Sequence, residues 1–224
     1  MFEGIKQDIN AVRERDPAAR NNLEVLLLYS GIHAILLHRP AHWLYRHKLF
    51  FTARLLSQAT RLLTNIEIHP GAKLGHGILI DHGAGVVIGE TAEVGDNCTI
   101  YQGATLGGTG KDKGKRHPTI GNNVLIGSGA KVLGPIVVGD NCKIASNAVL
   151  LHSLDENSTA VGVPARAVRI AGERIDNKKL DHAHIPDPVT QDLCKAMGQI
   201  AMLESRIAAL ELEIHPLDAQ RRGA

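Results

Sequence analysis

The sequence predicts an α+β protein with an N-terminal helical domain, a left-handed parallel β-helix and a C-terminal helical tail. Aliphatic residues recur every six positions through the middle of the chain, helix-like apolar spacing precedes that stretch, and a heptad-like pattern follows it. We expect an α-helical domain at 1–65, the β-helix at 66–170, a polar linker at 171–189 and a helical, coiled-coil-like tail at 190–224.

The six-residue period defines the central domain. A parallel β-helix explains this period, because three short strands and three turns form each coil and aliphatic side chains stack inward. An ordinary glycine-rich sheet protein would instead alternate every second residue, with a new strand about every 8–12 residues. Aromatic residues form only 3% of the chain, which fits a core of small aliphatic side chains. The in-register positions are Ile68, Leu74, Ile80, Ile88, Val94, Ile100, Leu106, Ile120, Ile126, Val132, Val138, Ile144 and Leu150.

Two interruptions of the period mark candidate functional segments, because insertions in repeat proteins form loops on one face. The first is a two-residue slip between Ile80 and Ile88, and it contains His82. The second is 107–119, whose glycines, basic residues and proline predict a projecting loop, and it contains His117.

The two ends of the chain have helical patterns. Residues 1–65 show apolar helix-like spacing, with a turn or kink expected at Pro40. The tail pattern predicts a short coiled coil between three parallel chains, with packing against its own chain as the alternative. Its apolar positions are Leu193, Met197, Ile200, Leu203, Ile207, Leu210 and Ile214.

Composition narrows the functional classes. A formal charge of +2, from 25 basic and 23 acidic residues, does not indicate a nucleic-acid or membrane surface, so we expect a small substrate. No apolar run of about 18 residues and no signal core occur, which predicts a cytoplasmic protein. Cys98, Cys142 and Cys194 lack CxxC spacing, so we expect reduced thiols and no thiolate zinc site.

Five motifs lie between residues 16 and 170, and they are DPA at 16–18, IHP at 68–70, DHGAGVVIGET at 81–91, TLGGTGKDKGKRHP at 105–118 and VGVPAR at 161–166. Together these motifs resemble those of the serine acetyltransferase family. The resemblance implies transfer of acetyl from acetyl-CoA, the co-substrate, to the hydroxyl of L-serine, the first step of cysteine synthesis from serine. It also implies feedback inhibition by cysteine and no metal.

His82 is the candidate general base. The serine hydroxyl must lose its proton as it attacks the thioester, and a histidine that is neutral near pH 7 can accept that proton. Glu67 can hold the ring in one tautomer and stabilise the imidazolium, as carboxylates do in hydrolase triads. Some family members have aspartate at the position of Glu67. Glu67 and His82 are 15 residues apart, near the length of one coil.

Free serine carries an ammonium and a carboxylate, so its site needs acids at one end and a bidentate cation at the other. Asp16 and Asp81 fit the first need, although Asp16 before Pro17 is also typical of a helix N-cap. Arg116 fits the second. The resemblance implies that His117 supports the carboxylate or the reacting hydroxyl.

Acetyl-CoA is expected along the outside of the coils, where glycines let its pantetheine arm approach the backbone. The contacts that the resemblance and this argument suggest are Gly107, Gly108, Ser128, Lys143 and Ser146, the lysine meeting a phosphate.

The resemblance also bears on assembly. A homotrimer is favoured over a hexamer, because the chain lacks much of the helical extension that joins two trimers in longer members. The active site is expected between adjacent subunits. Members that dock onto O-acetylserine sulfhydrylase typically end in isoleucine, whereas this chain ends Arg-Arg-Gly-Ala, which argues against docking.

Other functions remain open at this point. The same chemistry could use homoserine as acceptor or a succinyl donor. A γ-type carbonic anhydrase would bind zinc through three histidines, but His69, His76, His82 and His117 have no recognised ligand spacing. A non-enzymatic scaffold would leave the DH and RHP motifs unexplained.

Overall fold

The computed structural model describes residues 2–110, 113–168, 196–197, 199–200 and 202–207. Four helices come first, and they are α1 (Phe2–Arg15), α2 (Asn22–Leu28), α3 (Ser30–Arg46) and α4 (Phe50–Thr64). The predicted linker at 171–189 lies outside the described residues.

The helices are ended and joined by local signals in the sequence. Asn21 caps α2 by accepting the backbone N–H of Glu24 at 2.9 Å. Asn65 ends α4 in the left-handed conformation. The sequence predicts a turn or kink at Pro40, whereas α3 continues through this residue to Arg46 as one helix.

Fifteen strands follow within the described residues, and every pairing is parallel except the one between the last two strands. Sheet A has the order β1-β4-β7-β10-β13, sheet B β2-β5-β8-β11, and sheet C β3-β6-β9-β12-β14-β15. The strands are β1 (Glu67–Ile68), β2 (Lys73–Leu74), β3 (Leu79–Asp81), β4 (Val87–Ile88), β5 (Glu93–Val94), β6 (Thr99–Tyr101), β7 (Thr105–Gly107), β8 (Thr119–Ile120), β9 (Leu125–Ile126), β10 (Lys131–Leu133), β11 (Val137–Val138), β12 (Lys143–Ile144), β13 (Val149–Leu150), β14 (Thr159–Gly162) and β15 (Ala165–Val168).

From β1 to β13, consecutive strands lie in different sheets, which is the arrangement of a parallel β-helix. Over this range each strand pairs with the strand three places earlier, so the chain coils through sheets A, B and C in turn, and β14 and β15 then extend sheet C. Of the thirteen hexad positions, all are buried except Leu74, which is partly buried and packs on the same cluster. The predicted fold class is confirmed.

Asparagines form the turns between sheets B and C. Asn97, Asn123, Asn141 and Asn157 all adopt positive φ angles between 56° and 60°. Asparagine tolerates this conformation better than other non-glycine residues. The amide of Asn123 donates to Asn141 at 3.3 Å and that of Asn141 to Asn157 at 3.1 Å, so successive coils are linked along this corner.

The chain divides into two compact units, Met1–Ile185 and Pro186–Ala224. The described part of the second unit is helical and exposes Met197, Ile200, Leu203 and Ile207. The remaining predicted heptad positions, Leu193, Leu210 and Ile214, lie outside the described residues, so the coiled coil stays a prediction. No helix in the described part of the chain has the length and apolar content needed to cross a bilayer.

Candidate active site

The two-residue slip forms the corner between sheets C and A in the first coil. Asp81 pairs with Tyr101 and Val87 with Thr105, so five residues join β3 to β4 where three join β6 to β7. His82 opens the longer turn in the left-handed conformation, with φ of 55°. A histidine in this region is uncommon, and such backbone outliers cluster at functional sites.

This turn holds the His82 side chain away from the β-helix. The side chain is 80% exposed, and its Nε2 lies 4.0 Å from Oδ1 of Asp81. Gly83 follows with φ of +31°, and a Cβ there would lie 2.9 Å from Cγ1 of Ile66, so the turn requires glycine. The imidazole therefore faces outward and can contact another molecule.

Asp16 and Asp81 act on the same two phenols. The Tyr29 hydroxyl donates to Oδ2 of Asp16 at 2.7 Å. Burial and this bond, with a smaller effect of Asp81, raise the pKa of Tyr29 to about 12. Burial, then Asp81 and Asp16, raise the pKa of Tyr101. Both predicted acids therefore lie within electrostatic range of the same two tyrosines. Asp16 directly follows the end of α1 at Arg15, and the next helix begins only at Asn22, so the alternative N-cap role is wrong.

Glu67 contacts two arginines instead of His82, the partner that the sequence predicts. Its carboxylate lies 3.1 Å from Nη2 of Arg54 and 3.6 Å from Nη1 of Arg61, both on α4. Within residues 2–110, no hydrogen bond joins Glu67 to His82. The expected orienting role of Glu67 is therefore not visible in the isolated chain, where arginines already neutralise the carboxylate.

Arg116 and His117 lie at the next corner, between sheets A and B. The loop that leaves β7 at Gly107 returns to β8 at Thr119, and these two residues form its returning arm. Arg116 pairs with Glu90. His117 is only 8% exposed, and burial together with Arg116 lowers its pKa, which favours the neutral ring.

The predicted site is thus divided between two corners. His82 precedes β4, and Glu90, the partner of Arg116, follows it. The His82 corner and the Arg116 corner therefore lie at opposite ends of the sheet A strands. Asp16 and Asp81 belong to the His82 corner. One chain brings together the two acids, and separately the arginine and His117, but it does not join the halves.

Known proteins share this arrangement of sequence and fold. The description "Serine acetyltransferase, N-terminal" matches residues 1–36, and "Bacterial transferase hexapeptide (six repeats)" matches residues 117–152. A serine acetyltransferase of Synechococcus elongatus is 53% identical over 212 residues, covering 95% of this chain and 86% of that protein. The chain belongs to the serine acetyltransferase family.

Solved structures of serine acetyltransferases have the same fold. A Neisseria gonorrhoeae serine acetyltransferase in complex with serine aligns with a TM-score of 0.73 and 41% identity, covering 75% of this chain and 69% of that one. A serine acetyltransferase in complex with CoA aligns with a TM-score of 0.71 and 43% identity, again over 75% of this chain and 69% of the other.

Two residues expected at the acetyl-CoA site of a serine acetyltransferase lie on the His82 corner. Ser128 and Ser146 occupy matching positions of successive coils, because the Asn147 N–H donates to the Ser128 carbonyl at 2.8 Å. The hydroxyl oxygen of Ser146 is buried without a hydrogen-bond partner in the described part of the chain. The matching position in the coil below Ser128 is Gln102, because the Gly129 N–H donates to its carbonyl, so Gln102 lies between the His82 turn and the two serines along the β-helix axis.

The other expected acetyl-CoA contacts lie elsewhere. Gly107 and Gly108 stand at the start of the loop, where a Cβ on Gly108 would lie 3.1 Å from the Arg116 carbonyl oxygen. Lys143 is on β12 of sheet C and only 7% exposed. A lysine that meets a phosphate needs an accessible ammonium, so in the isolated chain Lys143 differs from the expectation.

Several residues near the site were missed by sequence reasoning. Tyr29 and Tyr101 line the acid pair, and Glu90 and Thr91 contact Arg116 and His117. Of these four residues, Glu90 and Thr91 had a signal in the sequence, because they end the DHGAGVVIGET motif. Among the described residues, no three histidine, cysteine or acidic side chains are placed to hold a metal ion.

Proposed function

We propose that the chain transfers the acetyl group of acetyl-CoA to the hydroxyl of L-serine, producing O-acetyl-L-serine and CoA, the first step of cysteine synthesis from serine. The observation that carries the proposal is the exposed His82 imidazole, which stands on a two-residue insertion beside a pair of carboxylates. Family membership and the serine and CoA complexes of related enzymes support it.

His82 acts as the general base. Its ring nitrogen accepts the proton of the serine hydroxyl while the hydroxyl oxygen attacks the acetyl carbonyl carbon. The C–S bond of the resulting tetrahedral intermediate then breaks, and the imidazolium returns the proton to the CoA thiolate. The exposed position of the ring supports this role, since both substrates must reach it.

The charges of serine select the remaining groups. The paired carboxylates of Asp16 and Asp81 receive the ammonium, and Arg116 receives the carboxylate as a bidentate donor. Cysteine differs from serine only in the sulfur that replaces the hydroxyl oxygen. It therefore occupies the same site and inhibits the enzyme.

The complete site forms between two copies of the chain in a homotrimer. His82 with its acids, and Arg116 with His117, flank opposite edges of sheet A, so one chain presents one half to each neighbour. Acetyl-CoA lies along the corner that carries Ser128 and Ser146, with its thioester next to His82. Gly107 and Gly108 come from the facing loop.

The role of Glu67 requires a change of partner. Its carboxylate orients His82 only if the neighbouring copy, or bound substrate, brings the two side chains together. The carboxylate must then leave the arginines of α4. Arg54 and Arg61 are 44% and 54% exposed, so these ion pairs are screened by water and easily exchanged.

Thiol release from acetyl-CoA in the presence of L-serine tests the function. His82→Ala is expected to lower kcat about 10²–10⁴-fold, as loss of a general base does. His152→Ala is the matched control, because His152 is exposed and lies on a different part of the β-helix. Homoserine and threonine as acceptors, and succinyl-CoA as donor, separate the related acyltransferases. No release with any pair would favour a scaffold and contradict the proposal.

A further inference from the structure

Three residues that the proposed reaction leaves unused, Gly89, Glu90 and Thr91, contact the segment that carries Arg116 and His117. The Oγ1 of Thr91 accepts the backbone N–H of Arg116 at 3.0 Å and that of His117 at 3.1 Å. These residues are 25 and 26 positions apart in sequence. One hydroxyl therefore holds the backbone of both site residues at the end of the long loop.

Thr91 also determines which nitrogen of the His117 ring carries hydrogen. The backbone N–H of Thr91 donates to Nδ1 at 3.2 Å, and its Oγ1 lies 2.9 Å from the same nitrogen. A backbone N–H only donates, so Nδ1 must be an acceptor and bear no hydrogen. Since Oγ1 already accepts two N–H groups, its own hydrogen is free to point at Nδ1.

The neutral ring then carries its hydrogen on Nε2. That nitrogen faces the start of the loop, where a Cβ on Gly108 would lie 3.2 Å from it. A Cβ on Gly89 would overlap Cδ2 and Nε2 of the same ring. The two glycines thus make room for the Nε2 side of the imidazole, and this nitrogen is a donor.

Glu90 restrains the neighbouring side chain in a similar way. The Tyr45 hydroxyl donates to Oε1 of Glu90 at 2.7 Å, and Nη2 of Arg116 pairs with Oε2. Both carboxylate oxygens are therefore engaged, one from α3 and one from the loop. A guanidinium has five N–H donors, so Arg116 keeps others for a substrate carboxylate.

We propose that Gly89, Glu90 and Thr91 form a cradle that positions the serine-binding residues and makes His117 a hydrogen-bond donor instead of a second base. With Nδ1 occupied and Nε2 protonated, His117 has no free lone pair with which to accept the serine proton, which leaves that task to His82. The inference rests on the proposed function for its substrate, but the tautomer is a property of the free protein.

Selective ¹⁵N-histidine NMR of the full chain without substrate tests the tautomer. The His117 signal, assigned by its loss in His117→Gln, is expected to be that of the Nε2–H form in the wild type and in Thr91→Ser. Thr91→Val, which deletes the hydroxyl but keeps the backbone N–H, is expected to retain the Nε2–H form and to shift the Nδ1 resonance, because one of the two groups that contact that nitrogen is lost. A wild-type ring protonated on Nδ1 would overturn the proposal, whatever the activity.

Kinetics provide the second measurement. Thr91→Val is expected to lower kcat/KM for serine about 10–100-fold, the effect of losing a hydrogen bond to a charged or reacting group, and to leave KM for acetyl-CoA unchanged within about twofold. Thr91→Ser is expected to restore the activity. Thr119→Val is the matched control, because it lies two residues from His117 and its hydroxyl has no hydrogen bond within the described residues. An unchanged Nδ1 resonance and unchanged serine kinetics in Thr91→Val would refute the role of the Thr91 hydroxyl.

The glutamate is tested separately. Glu90→Gln is expected to raise KM for serine about tenfold with a smaller change in kcat, because Arg116 loses its charged partner. Glu93→Gln removes a nearby carboxylate that forms an ion pair with exposed Lys73, and it serves as the control. Equal serine KM values in the two variants would exclude a positioning role for Glu90. If the wild type acetylates no serine, the proposed function fails, while the NMR experiment still decides the tautomer.

Discussion

The two corners of the β-helix that carry the proposed site hold their histidines in different ways. The His82 side chain is 80% exposed, and its ring lies 4.0 Å from the carboxylate of Asp81. His117 is 8% exposed, and Thr91 contacts both its backbone and its ring. A donor gains from being fixed in advance, because preorganised groups lose little freedom when the reaction occurs. The proposed base must accept and release a proton between two substrates, and in the isolated chain its ring is open to solvent.

The strongest test of this comparison removes the rigidity of the His117 corner. Gly89→Ala is expected to lower kcat/KM for serine about 100-fold, because a Cβ would displace the His117 ring and small misplacements of a catalytic group have effects of this size. Gly114→Ala, on the exposed part of the same loop with open space around it, is the control, although its φ of +97° adds local strain. Equal losses in the two variants would contradict the prediction.

Mixing the two defective corners tests whether they meet across subunits. His82→Ala and His117→Ala are each expected to be nearly inactive. When the two are refolded together in equal amounts, random assembly gives each interface both intact histidines with a probability of about a quarter, and activity should approach that fraction of wild type. Activity that stays at the level of the single variants would show that both histidines serve from one chain.

The acid pair is expected to have a smaller effect than the histidines. Asp16→Asn should raise KM for serine about tenfold, because the ammonium loses one charged partner while Asp81 remains. The same change should lower the pKa of Tyr29 from about 12, since the bond to Asp16 contributes to its elevation. Ultraviolet titration of tyrosinate measures the second effect without substrate, and an unmoved Tyr29 would contradict the described contact.

A third histidine extends the comparison to the helical part of the chain. His38 on α3 is 5% exposed, and burial, with His42 and Arg39 nearby, lowers its pKa to about 3. The unfolded chain binds a proton near pH 6.5, so the free energy of unfolding should fall as pH drops below 6.5 toward 3. The loss from this group reaches about 1.4 kcal/mol near pH 5.5.

Urea unfolding of wild type and His38→Gln between pH 7.5 and 5.5 measures the contribution of His38 to the free energy of unfolding. The variant cannot bind the extra proton when it unfolds, so its stability should depend less on pH than that of the wild type. Parallel pH dependences in the two proteins would show that His38 does not contribute.

Much of the fold follows from the sequence because a six-residue period leaves few alternatives. An aliphatic residue at every sixth position must point inward in a three-sided coil, and the described hexad residues do so from Ile68 to Leu150. The α3 helix is the exception, since Pro40 is tolerated where sequence reasoning expects a turn or kink. There the packing of α3 on α4 and on the first coil outweighs one missing backbone hydrogen bond.

The sequence by itself determined the β-helix, the two interruptions and the residues with reactive side chains, including His82, Arg116 and His117. Only the tertiary structure decided their surroundings. A side chain that points outward at a corner contacts residues about one coil away in sequence. Where a loop is inserted between the coils, its length determines which residues those are. Thr91 therefore contacts His117 across 26 residues, and Glu67 contacts the arginines of α4. Periodicity specifies which side chains point toward the core, whereas contacts outside the core depend on how the coils and helices pack against one another.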